Sequence, residues 1–467
     1  MVRTIDIHET LLSAIGAVAD KNGVEAYVVG GYVRNRLLDR HVTDLDVVVV
    51  GDGVNFAKLV AAAFHREHVV TYEKFGTAMV QLDGTKVEFV GARKESYQKN
   101  SRKPDVERGS LDDDLARRDF TINAMAASLN APRWGEVVDP FDGQRDLARR
   151  IIRTPLEPDR TFNDDPLRIM RAIRFASQLG FVIDTGTLDA IRRMKERLSI
   201  MSQERITDEF LKILMSSKPS VGLKLMINTG VMDIVFPEIS QLSGVDQRKD
   251  YHHKDVLYHT LQVVDKAAAQ SDKLWLRFTS LVHDIAKPRT KAFKEGIGWT
   301  FHGHEELGAR MMKDIFRRLR LPMEPLKYVE KLIRLHLRPM ALVDEGVTDS
   351  AVRRLLFDAG EDVEDLIILC RGDITSKNPA LVNQIESNYD NVVGRMREIE
   401  EKDRIRAWQP PVRGDEIMEA CGLTPGPLVG KLKRAVEEAI LDGKVPNEHD
   451  AALEYLLSIK DSMLGSK

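Results

Sequence analysis

Residues Gly30–Val50 read GGYVRNRLLDRHVTDLDVVVV, and the order of the parts in this stretch decides what kind of head the chain builds. Asp44 and Asp46 are spaced i and i+2 at the mouth of an apolar run, so on a strand both carboxylates leave from one face and form a clamp for a divalent metal. Gly30 and Gly31 follow the apolar stretch Ala26–Val29. A backbone without Cβ there lets N–H groups approach phosphate closely, and Arg34 reaches the same phosphates. A strand, a Gly-Gly turn with a basic residue and a paired-carboxylate strand are the minimum kit for metal-assisted nucleotidyl transfer. A bare DxD is often a surface pair and a bare GG an ordinary turn. Their order and spacing point to the chemistry.

Working outward, Val24–Val29, Leu45–Val50, Val69–Tyr72, Ala78–Leu82 and Lys86–Val90 read as strands bounded by Gly, Asp or Asn. Ahead of them, residues 1–23 read as an amphipathic helix ending near Gly23, because charges interrupt what would otherwise be a signal-peptide core. Past about residue 150 the strand signal nearly vanishes. Long periodic helix follows, punctuated by Pro219, Pro237, Pro322, Pro325 and Pro339. The fold class is α+β: a small head with a mixed sheet on a long helical body. The turn-rich DPFDG at 139–143, the loop at 237–250 and the WQPPVRG linker at 408–414 divide the chain into 1–150, 151–236, 237–407 and 408–467.

A chain of 467 residues is too long for one core. Its 43% hydrophobic and 30% charged residues are those of an ordinary soluble protein, no stretch approaches the length of a membrane span, and Cys370 and Cys421 match neither a disulfide framework nor a thiolate metal site. A reducing cytoplasm is the expected compartment, with no membrane and no obligate protein partner evident. The net charge of −3 does not announce a nucleic-acid binder. RNA would need local basic patches such as Arg192-Arg193-Met194-Lys195 and Arg317-Arg318-Leu319-Arg320, each equally readable as a solvated helix face.

Other constellations carry chemistry. Glu88, on the apolar strand KVEFV, is either a third carboxylate for the Asp44/Asp46 clamp or a solvent-facing acid. Residues 93–104 read as a polar, basic loop beside the metal strands. In RRDFTIN, at 117–123, Arg118 and Asp119 stand before AMAAS, read as an apolar helix, where a cation meets phosphate and a carboxylate meets ribose. In FNDDPLRIMRAIRFA, at 162–176, Asp165 caps a helix with Pro166 at its first position. Asp165, Arg168, Arg171 and Arg174 recur every three residues and trace one slanting stripe. That stripe presents fixed donors and an acceptor to a base and its phosphates, or else forms a salt-bridged outer face. Downstream, His252, His253, His259, His283, His302, His304 and His336 are seven of the chain's twelve histidines. His283-Asp284 interrupts an apolar helix, where an unpaired charge is costly unless it meets a metal or partner. His259, His283, Asp284 and Asp373 are the expected ligand set for an unidentified divalent metal, since imidazole and carboxylate without thiol suit a hard or borderline ion.

The ordered series GGYVRN, DLD, the 93–104 segment, RRDFTINA, DPFDG, DDPLRIMRAIRF and SQERITDEF resembles the bacterial class II tRNA nucleotidyltransferases, which share their fold with bacterial poly(A) polymerases. The histidine-rich region resembles an HD phosphohydrolase domain, and the PPVRGDEIMEACGLTPG tail is similar to that of the same family. The resemblance implies a DNA polymerase beta-like nucleotidyltransferase head, an all-α neck that selects nucleotide and binds RNA, an HD body and a helical tail. It assigns Gly31 and Arg34 to the incoming triphosphate, beside Gly30 of the same turn, Asp44 and Asp46 to Mg²⁺, Arg118 and Asp119 to phosphate and ribose, and Asp165 and Arg168 to the Watson–Crick edge of CTP or ATP. Arg171 and Arg174 match further nucleotide contacts, while Arg205 and Glu209 match an element that braces the base-reading helix. Two positions depart from the family's pattern: Asn35 stands where Asp is usual and Asp164 where Glu is usual. The implied reaction is attack of an RNA 3′ hydroxyl on the α-phosphate of CTP or ATP, completing tRNA 3′ ends, with HD phosphohydrolase action beside it. Poly(A) addition, CC-only addition, an HD phosphohydrolase with a vestigial head and a non-catalytic tRNA-binding protein are the rival readings.

Overall fold

The computed structural model describes residues 4–42, 45–73, 76–96, 105–247, 254–296, 298–342, 348–374, 378–403 and 411–464, and the chain divides into two compact units, Met1–Pro237 and Glu238–Lys467. Asp44, His252 and His253, and residues 97–104 of the expected loop, lie outside the described residues.

The first unit opens with α1 (Thr10–Lys21), which buries Leu12, Ile15 and Ala19. Then come β1 (Ala26–Val29), α2 (Gly31–Leu37), β2 (Leu45–Val49), α3 (Gly53–Ala63), β3 (Val69–Tyr72), β4 (Thr77–Leu82) and β5 (Thr85–Gly91). β1 is buried at all four positions, which is why it reads as a continuous apolar run with no alternation. β5 returns parallel to β2 with Asp46 opposite Glu88, and its other neighbour, β4, runs antiparallel. A parallel pair needs a crossover, and α3 with β3 and β4 provides it. α3 packs so close to the sheet that a Cβ on Gly53 would stand 2.3 Å from the Gly91 nitrogen. Phe56 meets Phe89 edge-on at 5.8 Å in the same layer.

Next follow β6 (Arg93–Ser96), β7 (Asp105–Arg108), α4 (Leu111–Ala116), β8 (Ala126–Ser128) and β9 (Val137–Val138). Two expectations are corrected here. The segment expected to be a loop begins as a strand, since β6 pairs antiparallel with β7. The run AMAAS is not a helix: a 3-10 turn at Thr121–Asn123 leads into β8, which pairs antiparallel with β1. Three alanines, a methionine and a serine show neither a 3.6 nor a 2.0 period, and the open edge of β1 decides the matter. The completed sheet has the order β3-β4-β5-β2-β1-β8-β9.

The rest of the unit is mainly helical and includes α5 (Gly143–Arg149), α6 (Pro158–Asp164), α7 (Leu167–Leu179), α8 (Thr185–Met194) and α9 (Gln203–Leu214), with a departure from an all-helical neck where Ile151–Ile152 pairs parallel with Val182–Ile183. α7 buries Ile169, Met170, Ala172, Ile173 and Ala176 and ends at Gly180, whose φ of +71° is the left-handed stop that glycine adopts without cost. The basic stretch at 192–195 is largely paired on its own surface, with Arg192 2.6 Å from Asp189 and Arg193 2.6 Å from Asp159.

The second unit is built on helices at Val256–Gln270, Leu274–Val282, His304–Arg318, Leu326–Leu335, Asp349–Ala359 and Val363–Asp373. A short hairpin, Ala292–Lys294 with Gly298–Thr300, interrupts them, a departure from an all-helical body. In the tail, Val412, Ile417, Leu432, Val436 and Leu456 form a small core of their own. Among the described residues no helix is long and apolar enough to cross a membrane.

Candidate active site and a histidine-aspartate cluster

In the first unit one cavity of about 600 Å³ is lined by Gly30, Gly31, Arg34, Asp46, Arg118, Asp119, Asp165, Arg168, Arg171 and Arg174, together with Asn123, Phe175 and Arg205. It joins α2 and β2 to α7, more than a hundred residues downstream. The turn into α2 is tight because Gly30 has a φ of +66° and a Cβ there would stand 2.8 Å from Arg118 Nη1. Glu88 does not line the cavity, yet its register opposite Asp46 puts both carboxylates on one face of adjacent strands. Its carboxyl is held above the usual range, first by its partial removal from water and then by the charge of Asp46. Oxygen donors gathered in this way suit a hard divalent cation such as Mg²⁺.

The arginines of the cavity are oriented by specific acceptors. Arg34 donates twice to Asn35 Oδ1, at 2.8 and 3.0 Å, and once to Asn123 Oδ1 at 2.6 Å. Asn35, where the family pattern has Asp, therefore aims Arg34 without neutralising it, and burial lowers the Arg34 guanidinium to about 10. Asn123 in turn donates to Asp119 Oδ1 at 3.0 Å, and Asp119 Oδ2 pairs with Arg171 at 2.6 Å. Burial alone would raise Asp119, but Arg171, the Asn123 hydrogen bond and Arg168 outweigh it and hold the carboxyl at about 2. Arg174 pairs with the buried Glu209 at 2.5 Å and lies 4.1 Å from the Phe175 ring centre. Arg34 and Arg171 lie over the same ring, at 5.1 and 5.4 Å.

Arg168 is 9% exposed and donates to the carbonyls of Thr161 and Arg117, which fixes its plane and leaves other N–H groups for a ligand. Asp165 Oδ1 accepts from the Leu167 N–H at 3.1 Å, while Oδ2 faces Arg205 at 3.5 Å. The α7 stripe is thus a cavity wall. Three supporting residues escaped sequence reasoning: Asn123, Phe175 and the fully buried Asp114, which pairs with Arg117 at 2.6 Å and Arg118 at 3.0 Å. Asp114 carried a signal, because it stands three and four residues before the two arginines, which follow the end of α4. Asn123 and Phe175 carried none beyond their place inside the motifs.

In the second unit four of the seven clustered histidines meet two aspartates. Ligand atoms of His259, His283, Asp284 and Asp373 lie within 4.8 Å of one another, and so do those of Asp284, His304 and His336. His302 is exposed. His259 Nε2 is 2.7 Å from Asp373 Oδ1, and His283 Nε2 is 3.2 Å from Asp284 Oδ2. Burial opposes charge on His283, but Asp284 and Asp373 overcome it and hold the imidazole up at about 10. Burial would raise the Asp284 carboxyl too, and the cationic groups around it, His283 and Lys287 first, hold it well below the usual range. Imidazole and carboxylate gathered this closely are a donor set that suits a hard or borderline divalent metal.

Three family models match in chain order: a poly(A) polymerase head domain over residues 26–153, a probable RNA- and SrmB-binding site of polymerase A over 180–242, and an HD domain over 256–375. An A-adding tRNA nucleotidyltransferase of Deinococcus radiodurans is 33% identical over 351 residues, covering 73% of this chain and 78% of that protein. The chain belongs to the tRNA nucleotidyltransferase and poly(A) polymerase family. A multifunctional CCA protein of Neisseria gonorrhoeae is 34% identical, over 67% of this chain and 74% of that one. Among solved structures, the Bacillus stearothermophilus CCA-adding enzyme in complex with CTP shares the fold at a TM-score of 0.64 and 24% identity, covering 98% of this chain and 100% of that one.

This nucleotidyltransferase therefore relies on a buried ion pair, Asp119 with Arg171, inside its cavity. Asp119→Asn is expected to cost about 2–3 kcal/mol, less than the ~3–5 of a fully buried pair because about a third of Arg171 meets water. A carboxyl at about 2 in the folded chain and ~3.9 in the unfolded one stabilises fully above pH ~4, and that contribution is lost as pH falls towards 2. Denaturant unfolding of both proteins between pH 7 and 2 checks this: the gap should close with falling pH, and a constant gap would remove the ion pair from the account.

Proposed function

We propose that the chain adds C, C and A to the 3′ ends of tRNA from CTP and ATP, without a nucleic-acid template and in the cytoplasm. The observation that carries the reading is that Asp46 and the Asp165–Arg174 stripe line one cavity. Asp44 and Asp46 are the residues to hold Mg²⁺, with Glu88 opposite Asp46 on the neighbouring strand. Bound there, Mg²⁺ lowers the pKa of the attacking 3′ hydroxyl and offsets charge on the leaving pyrophosphate. Gly30 and Gly31 let the triphosphate approach the backbone, and Arg34, Arg118, Arg171 and Arg174 meet its oxygens with guanidinium groups already aimed by Asn35, Asp114, Asp119 and Glu209. Asp119, whose two oxygens already accept from the Phe120 N–H, Asn123 and Arg171, acts at the ribose end by holding Arg171 in place.

Cytosine and adenine both present an exocyclic amino donor next to a ring-nitrogen acceptor. Asp165 supplies an acceptor and Arg168 a donor, so one pair of side chains admits C and A and leaves buried groups unpaired against U and G. The His259, His283, Asp284 and Asp373 set holds a second divalent metal for phosphohydrolase chemistry, and His283→Ala should abolish such activity in the purified protein.

The Deinococcus relative's name favours one other reading, addition of A alone. Labelled CTP and ATP offered with tRNA lacking all three terminal nucleotides, and with tRNA ending in CC, separate the readings. Three additions to the first and one to the second, then a stop, are expected. Extension of the CC-ending tRNA only would establish A addition, and a long A-tail on any RNA would establish poly(A) synthesis.

A further inference from the structure

The hairpin of the second unit, Ala292–Lys294 with Gly298–Thr300, wears its side chains the wrong way round for an ordinary surface ribbon. A ribbon lying on a protein body turns its apolar side chains inward and its polar ones to water. Here Phe293 and Trp299 stand opposite each other in the register, with ring centres 5.2 Å apart and edge to face, and Phe293 is 57% exposed. The alternate position, Thr300, is the buried one, its hydroxyl donating to the Ala292 carbonyl at 3.1 Å. The aromatic pair is therefore the outward face.

One exposed ring is ordinary. A pair held in register is a built surface, and its neighbours are cations. Residues 287–301 carry Lys287, Arg289, Lys291 and Lys294 against the single acid Glu295, and Arg289 and Lys294 are exposed. Lys291 Nζ lies 4.4 Å from the Trp299 ring centre, so charge and ring share one face. Rings interleaved with cations take unpaired nucleobases and the phosphates between them. A lipid surface calls for a broader apolar face than two rings present, and the cores of protein–protein interfaces are poor in lysine.

The hairpin also leads to the histidine–aspartate cluster. At its entry, Lys287 Nζ lies 5.7 Å from the Phe301 ring centre and 2.6 Å from Asp284 Oδ2. At its exit, the Phe301 carbonyl lies 2.8 Å from His304 Nδ1, and Nε2 of the same ring is 3.3 Å from Asp284 Oδ1. Both ends of the ribbon are thus tied to Asp284. The match to an RNA-binding region covers residues 180–242 and does not include this ribbon.

We infer that Phe293 and Trp299 form a stacking platform for the unpaired bases of an RNA end, with Arg289, Lys291 and Lys294 on its phosphates, beside the histidine–aspartate cluster. Presentation of a terminal phosphate to that cluster rests on the proposed phosphohydrolase chemistry, whereas the platform does not.

The test labels the full-length protein with 5-fluorotryptophan. Its four tryptophans give four fluorine resonances, and Trp299 is assigned by the resonance lost in Trp299→Phe. The probe is hexa-adenylate carrying a 3′-phosphate. The Trp299 resonance is expected to shift saturably with this oligonucleotide, and the midpoint to rise about 10-fold in Phe293→Ala, as for the loss of one stacked base. Lys291→Gln with Lys294→Gln should flatten the slope of log affinity against log salt by about 1.4, the share of two phosphates in a single strand. A resonance indifferent to the single strand, or shifted equally by an RNA duplex of the same charge or by phosphatidylserine vesicles, would overturn the platform. Phosphate release from the same oligonucleotide is followed separately. A shift without release keeps the platform and removes the phosphohydrolase reading, and release without a shift overturns the platform. The other three fluorines identify a variant that fails to fold, in which case the response of the protein with intact side chains decides alone.

Discussion

Replacing Asp46 by Asn is expected to remove incorporation of CTP and ATP together, lowering kcat by at least ~10³-fold, since several kcal/mol of charge stabilisation depend on its carboxylate. The residue lies on β2, whose hydrogen bonds to β1 and β5 hold it on both sides, so the amide should occupy the same place. The effect should be blind to the base, because the proposed role of Asp46 is at the phosphates, in the cavity it lines together with Gly30, Gly31 and Arg34. Rates with each nucleotide, with melting curves as a control for folding, check it. Loss of one nucleotide and not the other would move Asp46 out of the chemistry and into selection.

The second large effect concerns choice. Asp165→Ala and Arg168→Ala should each reduce the kcat/KM preference for CTP over UTP by roughly 10²-fold, because a site built around paired hydrogen bonds loses discrimination when one side is removed. Arg168→Ala carries a further cost. It strips a donor from the Thr161 and Arg117 carbonyls, and an unsatisfied buried carbonyl costs about 1–3 kcal/mol. Asp165→Ala is therefore the cleaner probe, since the partners it leaves are the Leu167 N–H and the half-exposed Arg205. Unchanged preference in both variants, alongside normal folding, would place base reading elsewhere.

How much of this was legible in the residues varies with the range of the interactions. Asp46 in its apolar strand, the turn at Gly30 and the three-residue recurrence of arginines on α7 are local patterns, and local periodicity carries them. The pairing of Asp46 with Glu88 is a matter of register between strands forty residues apart, and left Glu88 readable as either a ligand or a surface acid. AMAAS was misread because short runs of small residues have no period, and only the sheet edge presented by β1 makes Ala126–Ser128 a strand. Asn123 was passed over because its two partners, Arg34 and Asp119, come from separate elements. His304 and His336 belonged to a visible histidine excess, but no spacing in the chain says that both turn Nε2 towards Asp284.

The central claim is that one cavity unites a metal and triphosphate end at β2 with a protein base reader on α7. Incorporation of each of the four nucleoside triphosphates, offered singly to tRNA lacking its terminal CCA with the unmodified enzyme, tests it most directly. The account predicts that CTP is added and then ATP, with UTP and GTP at least ~10²-fold poorer in kcat/KM. Equal incorporation of all four would contradict it.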